Sequence, residues 1–387
     1  MDFRGTDLYE LDSLLNEEQR LIRRTAREFV DEEVLPIISQ AFEAGRFPQE
    51  LILRLGELGF LGANLKGYGA AGIDELAYGL VMEELERGDS GVRSFASVQG
   101  GLVMYPIYTF GSQEQKECWL PRLARGEAVG CFGLTEPEFG SNPAGLQTRA
   151  ERAGDHYVLN GVKTWITNGT LADVALVWAR TEEGIRGFLV ERGTPGFTQA
   201  KIEHKLSLRA SDTGELSFTD CRVPAEKMLP QAQGLKPALM CLDQARYSIA
   251  WGAVGAAKAC FEEAREYSQE RVQFGRPIAS FQLIQERLAE MLTEITKAQL
   301  LLFRLAQLKE AGRADHVQIS LAKRNNVAMA QIVARSAREI LGANGITLDY
   351  QAIRHLINME TVKTYEGTHE IHTLILGKAI TGIEAFK

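Results

Sequence analysis

One carboxylate stands directly before a glycine in TYEGTHEIH, Thr364 to His372. Ile371, Leu374, Ile375 and Ala379 follow at helical spacing, which predicts an apolar, buried helix starting near Thr368. Glu366 then has two possible uses. It can complement the positive end of that helix. Alternatively, with Gly367 letting bare backbone lie against a ligand, it can act as a general base. A helix N-terminus lowers a carboxylate pKa, so the second use requires a ligand that excludes water. Another isolated charge is Arg93, in the largely apolar stretch DSGVRSFASVQGGLVMYPIY. A buried guanidinium without an anion is costly. Its partner is either the far-end carboxylate of a ligand, or Glu86 or Glu83 a few turns back.

Other chemical signatures are weak or absent. GYGAAG, Gly67 to Gly72, satisfies G-x-G-x-x-G, but a helix precedes it and no βαβ unit surrounds it, so an interhelical loop is expected. There is no phosphate-binding G-x-x-x-x-G-K-[ST]. His369 and His372 are spaced i, i+3 without an evident third ligand; they read as a solvated or core pair, and no metal is expected.

The elements that must hold these residues fall into three textures, predicting a mainly α protein with a central β domain. Residues 1–127 read as helices, with Leu51, Ile52, Leu55 and Leu58 on one face. Residues 128–234 read as strands: VALVWAR, GFLVER and GELSFTDCRV, with turns at the two Asn-Gly pairs of HYVLNGVKTWITNG. No helices alternate with them, so an antiparallel barrel or sandwich is expected. Residues 235–387 read as a bundle of long helices, with stripes Ile284, Leu288, Met291, Ile295, Ala298, Leu302 and Val327, Ala330, Ala334, Ala337, Leu341.

Bulk properties exclude some functions. The net charge of −8 disfavours nucleic-acid binding. No apolar run is long enough for a membrane span. Five scattered cysteines without C-x-x-C argue against disulfides and zinc and for a reducing setting. The acidic N-terminus has no apolar signal core, so a cytoplasmic protein is expected.

CFGLTEPEFGSNPAG, KTWITNG, RVQFGRPIASFQ, LGANGI and TYEGTHEIH occur in that order. The ordered set resembles the acyl-CoA dehydrogenase flavoprotein family over nearly the whole chain. The resemblance implies an N-terminal helical domain, a middle β domain, a C-terminal four-helix bundle, bound FAD and a homotetramer with FAD sites shared between subunits. It implies FAD contacts at Phe132, Leu134, Thr135, Gly140 and Ser141, and at Trp165, Ile166 and Thr167 against the ring. Arg271, Phe274, Gln282, Glu339, Leu341, Gly342 and Ala343 would reach a neighbour's FAD, and Thr368 and Phe386 would add contacts. Asn142 and Ala343 depart from the commoner Asp and Gly.

The same resemblance assigns Glu366 as the base that removes an acyl-CoA α-proton, with its own backbone N–H helping to stabilise the thioester enolate. The stretch around Arg93, QARYSIAW and the C-terminal segment resemble the branch that takes glutaryl-CoA. Arg93 and Ser94 would then grip the terminal carboxylate, with Ser141, Arg246, Tyr247, Tyr365 and Gly367 beside the substrate. Tyr365 and Glu86 resemble residues of decarboxylating members, and electrons would pass to an electron-transfer flavoprotein. Alternatives are a short-chain monocarboxylic acyl-CoA substrate, with Arg93 structural, or oxidation that stops at glutaconyl-CoA.

Overall fold

The computed structural model describes residues 5–385. Phe386, an expected FAD contact, lies outside the described residues. Helices come first: α1 (Glu17–Phe29), α2 (Leu35–Ala44), α3 (Leu51–Glu57), α4 (Glu75–Gly88), α5 (Ser90–Ser97), α6 (Tyr105–Phe110) and α7 (Gln113–Ala124). Asn16, Asp74 and Ser112 cap the free N–H groups that open α1, α4 and α7, and Gln19 and Gln115 complete two capping boxes. Between α5 and α6 the chain winds as a π-helix, Val98–Met104. The GYGAAG stretch is an irregular loop between α3 and α4, as expected.

Seven strands follow: β1 (Gly130–Gly133), β2 (Arg149–Ala153), β3 (His156–Thr167), β4 (Val174–Thr181), β5 (Gly184–Glu191), β6 (Phe197–Lys201) and β7 (Thr213–Pro224). They form one sheet in the order β1-β4-β2-β3-β7-β6, with β5 also paired to β4. Most pairings are antiparallel, but β1 and the start of β2 join β4 in parallel. Of the two Asn-Gly pairs, Asn168-Gly169 makes a turn. Asn160-Gly161 does not; it lies inside β3 where the register slips. A Cβ at Gly161 would stand 2.4 Å from Thr148 Oγ1. Turns and bulges both favour glycine, so the dipeptide does not tell them apart. A second slip, between Lys163 and Ile166, puts Trp165 at φ 60° and leaves it 62% exposed.

The last region holds α8 (Lys236–Glu270), a small hairpin of β8 (Val272–Gln273) and β9 (Arg276–Pro277), then α9 (Gln282–Glu310), α10 (His316–Ile340), α11 (Ala352–Thr364) and α12 (His369–Thr381). The predicted stripes are buried along most of α9 and α10. α10 packs on the other four helices, and α4 lies against α8, so the two helical regions share one core. Gly79 admits the Trp251 indole there; a Cβ would lie 2.3 Å from it. The helix expected after Thr368 is α12, with the Thr368 hydroxyl capping it. Its apolar face is not buried as expected. Only His372 is fully covered, Leu374 and Ile375 are half-buried, and Ile380 is 82% exposed. Periodicity shows which residues share a face, not what covers it. No helix among the described residues is long and apolar enough to cross a membrane.

Candidate active site

Tyr365, Glu366 and Gly367 lie between α11 and α12, with Glu366 at φ 52° and Gly367 at φ 97°. A left-handed glutamate costs on the order of 1–3 kcal/mol, so its surroundings must impose it. Lys323, from α10, donates from Nζ to the carbonyls of Tyr365 and, at 2.6 Å, Gly367. Arg246, from α8, donates from Nε to the Glu366 carbonyl at 2.9 Å and is itself held by Asp243 at 3.0 Å. Three consecutive carbonyls are thus tied to two buried cations. A Cβ on Gly367 would sit 3.0 Å from His372 Nε2 and 3.2 Å from Arg246 Nη2, so space as well as φ demands glycine.

Oε2 of Glu366 is enclosed and has no hydrogen-bond partner among the described residues. Burial raises the Glu366 pKa, while the charges of Arg93, Lys323 and Arg246 act against the rise without cancelling it. Burial works to lower the Lys323 pKa and the neighbouring Arg246 and Arg93 add to that, while the carboxylate of Glu366 favours the charged ammonium. Burial, then Lys323 and Arg246, push the His372 pKa far down, which keeps the ring neutral.

Arg93 is fully buried on α5. The ion pair left open by the sequence forms: Nε donates to Glu86 Oε2 at 2.5 Å. Glu86 also accepts from Ser90 at 2.8 Å. Nη2 of Arg93 donates to the Tyr365 hydroxyl, which shares a further bond of 3.2 Å with Ser94. Nη1 is left without a partner among the described residues. Burial works to lower the Arg93 pKa, but Glu86 and then the Tyr365 hydroxyl outweigh it, so the guanidinium stays charged. One buried site therefore holds a cation with a spare donor and a carboxylate with a spare oxygen. A ligand carrying a distal anion and an acidic C–H would satisfy both.

The remaining expected site residues divide. Tyr247 does not line a site as expected: it is fully buried, with its hydroxyl donating to the Glu75 carbonyl at 2.8 Å. The Thr164 N–H donates to the Thr135 carbonyl at 2.9 Å, which joins the Phe132–Thr135 segment to the Trp165–Thr167 segment. Gly140 and Ser141 lie exposed in the loop after Thr135. Arg271, Leu341, Gly342 and Ala343 line one shared hollow with Tyr267 and Asn344. Phe274, on the β8–β9 hairpin, is 93% exposed, and Gln282 opens α9 just beyond it. Glu339 is ion-paired with Arg287. Exposed Trp165, next in the chain to the Thr164 that bonds Thr135, and the hollow containing Arg271 fit a flat ring and a phosphate respectively. Among the described residues, no cluster of three or more His, Cys, Asp or Glu side chains could hold a metal ion.

Two elements were missed in the sequence. Lys323 is buried beneath the Glu366 loop. Lys163 and Glu136 form a buried pair at 2.8 Å, and Glu136 also accepts from the N–H groups of Gln147 and Thr148, which pins the loop carrying Gly140 and Ser141. The charges in KTW and TEP were the available signal, but each also reads as an ordinary surface charge.

Family descriptions match in order: Acyl-CoA dehydrogenase, N-terminal domain, over residues 16–127; middle domain, 131–221; and C-terminal domain, 232–381. The short-chain specific acyl-CoA dehydrogenase of Clostridium acetobutylicum is 39% identical, over 96% of this chain and 100% of that protein. A glutaryl-CoA dehydrogenase of Mycobacterium smegmatis, solved in complex with FADH2, is 52% identical over the full length of both chains, with a TM-score of 0.99. A chain in the solved structure of the electron transferring flavoprotein of Acidaminococcus fermentans is 38% identical over 98% of this chain and 100% of that one, with a TM-score of 0.92. Three matched domains in order, together with whole-length relatives of this similarity, establish that the chain belongs to the acyl-CoA dehydrogenase family and is an oxidoreductase.

Proposed function

We propose that the chain is an FAD-dependent glutaryl-CoA dehydrogenase that also decarboxylates its product to crotonyl-CoA and passes electrons to an electron-transfer flavoprotein. The observation that carries the reading is Arg93: buried, charged and, among the described residues, with Nη1 unpartnered, as is the enclosed Oε2 of Glu366. A saturated acyl tail offers that donor nothing, whereas a terminal carboxylate does. The Mycobacterium smegmatis relative supports the same substrate and cofactor.

On this reading the Phe132–Ser141 and Trp165–Thr167 segments and a second subunit's Arg271 hollow would hold FAD, which when bound would supply the acceptor for the substrate's β-hydride. Glu366 removes the α-proton, and the substrate's dry carbon chain further raises the basicity that burial has already begun to raise. The Glu366 N–H donates to the thioester oxygen where enolate charge develops. Arg93, Ser94 and Tyr365 hold the distal carboxylate. Once the α,β double bond exists, the carbon–carboxylate bond can break with its electrons delocalised into the thioester. Carbon dioxide leaves and Glu366 returns its proton to the resulting dienolate.

Anaerobic addition of glutaryl-CoA to the purified yellow protein should bleach the flavin band and release crotonyl-CoA and carbon dioxide. Bleaching without carbon dioxide would leave dehydrogenation and remove decarboxylation. A flavin that bleaches equally fast with butyryl-CoA would favour the second reading, a short-chain monocarboxylic substrate. That reading draws on the Clostridium acetobutylicum relative and on the Arg93–Glu86 ion pair.

The assembly is proposed as a homotetramer. Phe274, Leu283, Ile332 and Ile380 are large apolar side chains exposed on the C-terminal helices and hairpin. Light scattering of the FAD-loaded protein should give four times the mass of one chain; a monomer would overturn the shared site. The five free cysteines, four of them buried, suit the reducing cytoplasm expected for it.

A further inference from the structure

The Glu366 loop is polarised in a way that neither the base nor the substrate explains. The carbonyls of Tyr365, Glu366 and Gly367 all accept hydrogen bonds from Lys323 or Arg246. The N–H groups of Glu366 and Gly367 have no hydrogen-bond partner among the described residues. In a planar trans peptide the C=O and N–H point in opposite directions, and no described peptide bond is cis. Fastening the Tyr365 carbonyl to Lys323 therefore aims the Glu366 N–H away from that ammonium and fixes it there.

We propose that Lys323 is a positioning residue for the enolate-stabilising donor: its ammonium, bridging the carbonyls on either side of Glu366, orients the Glu366 N–H toward the substrate's thioester oxygen and strengthens it as a donor. This rests on the reading of Glu366 and its N–H given above. Two physical effects act together. Bridging two carbonyls removes the rotational freedom of the peptide units between them, so little reorganisation is needed when charge develops. A cation on the carbonyl end polarises the peptide and makes its N–H a better donor. Arg246 holds the intervening carbonyl but not the peptide that carries the Glu366 N–H, so Lys323 has the larger share. Neither cation needs to touch the substrate. Three cations press on Glu366, namely Arg93, Lys323 and Arg246, and neutral His372 lies against Gly367, so the loop's charge balance does not depend on Lys323 alone.

The test is binding rather than turnover, on the full-length FAD-loaded protein. Acetyl-CoA has the thioester carbonyl but no β-carbon, so it cannot be desaturated; S-ethyl-CoA has the same size and lacks the carbonyl. Calorimetry on the wild type should show acetyl-CoA binding about tenfold tighter, the worth of one well-placed hydrogen bond. In Lys323→Met the ratio of the two dissociation constants should fall close to one. Lys323→Gln, which keeps a donor but not the charge, should give an intermediate ratio and serves if the methionine variant does not fold. A loop that is merely loosened would weaken both ligands alike and leave the ratio unchanged, and that result would overturn the proposal. A wild type with no preference for the carbonyl compound would instead sink the underlying role of the Glu366 N–H. The two failures are therefore distinct.

Discussion

Glu366→Gln is expected to lower glutaryl-CoA turnover by roughly 10²–10⁴-fold, the scale of a lost general base, while leaving the folded protein at least as stable as the wild type at neutral pH. The amide fits the same space but cannot take a proton. The stability expectation follows from the direction of the pKa shift. Burial raises the folded-state pKa of Glu366 despite Arg93, Lys323 and Arg246. A carboxyl raised in the fold destabilises the protein once it ionises. That penalty is absent below its unfolded pKa of about 4.3, and is complete above its folded value. Glutamine never ionises, so the variant's advantage should grow as pH rises through that window. Wild-type kcat/KM should rise with pH over the same window, since only the ionised form is a base. Melting curves and rate profiles of both proteins from mildly acid to mildly alkaline pH provide the check. An active variant would remove Glu366 from the chemistry. A variant that loses stability with rising pH would show that the three cations outweigh burial.

The second large effect is at Arg93. Arg93→Met should reduce kcat/KM for glutaryl-CoA by about 30- to 5,000-fold, corresponding to the roughly 2–5 kcal/mol lost when one member of a buried charge pair is removed. For butyryl-CoA, which has no distal anion, the loss should stay within about tenfold. The same substitution strands Glu86, which is fully buried and loses its 2.5 Å partner. Stability should therefore fall by about 3–5 kcal/mol. Adding Glu86→Gln should recover much of that stability without restoring glutaryl-CoA activity. This second variant separates anchoring from folding. Equal losses on the two substrates in the stabilised double variant would leave Arg93 a structural residue and favour the short-chain reading.

Much of this was legible in the chain because the informative residues are local. TYEG places a carboxylate and a glycine together, and the structure gives both of them left-handed backbone. The stripes on α9 and α10 are repeated contacts with one core, so periodicity reveals them. Lys323 was not legible for the opposite reason. It lies 42 residues before Tyr365 in ISLAKRNN, where a lysine reads as a solvated helix charge. Its burial comes from α10 packing beneath the α11–α12 connection, a tertiary fact with no local signature. The uncovered face of α12 was misjudged because apolar spacing does not say whether its cover belongs to the same molecule. Tyr247 was misjudged because its neighbours in QARYSIAW do reach the Glu366 loop, through Arg246, while the next side chain turns back to α4.

Residue 366 occupies a region of backbone space that glycine enters freely and that asparagine tolerates better than glutamate does. A search for sequences that best suit this backbone would replace the resident side chain there first. On the role proposed for Glu366, screening a variant library on folding energy alone would enrich for proteins of greater thermal resistance that have lost turnover, with the exchange concentrated at a single codon.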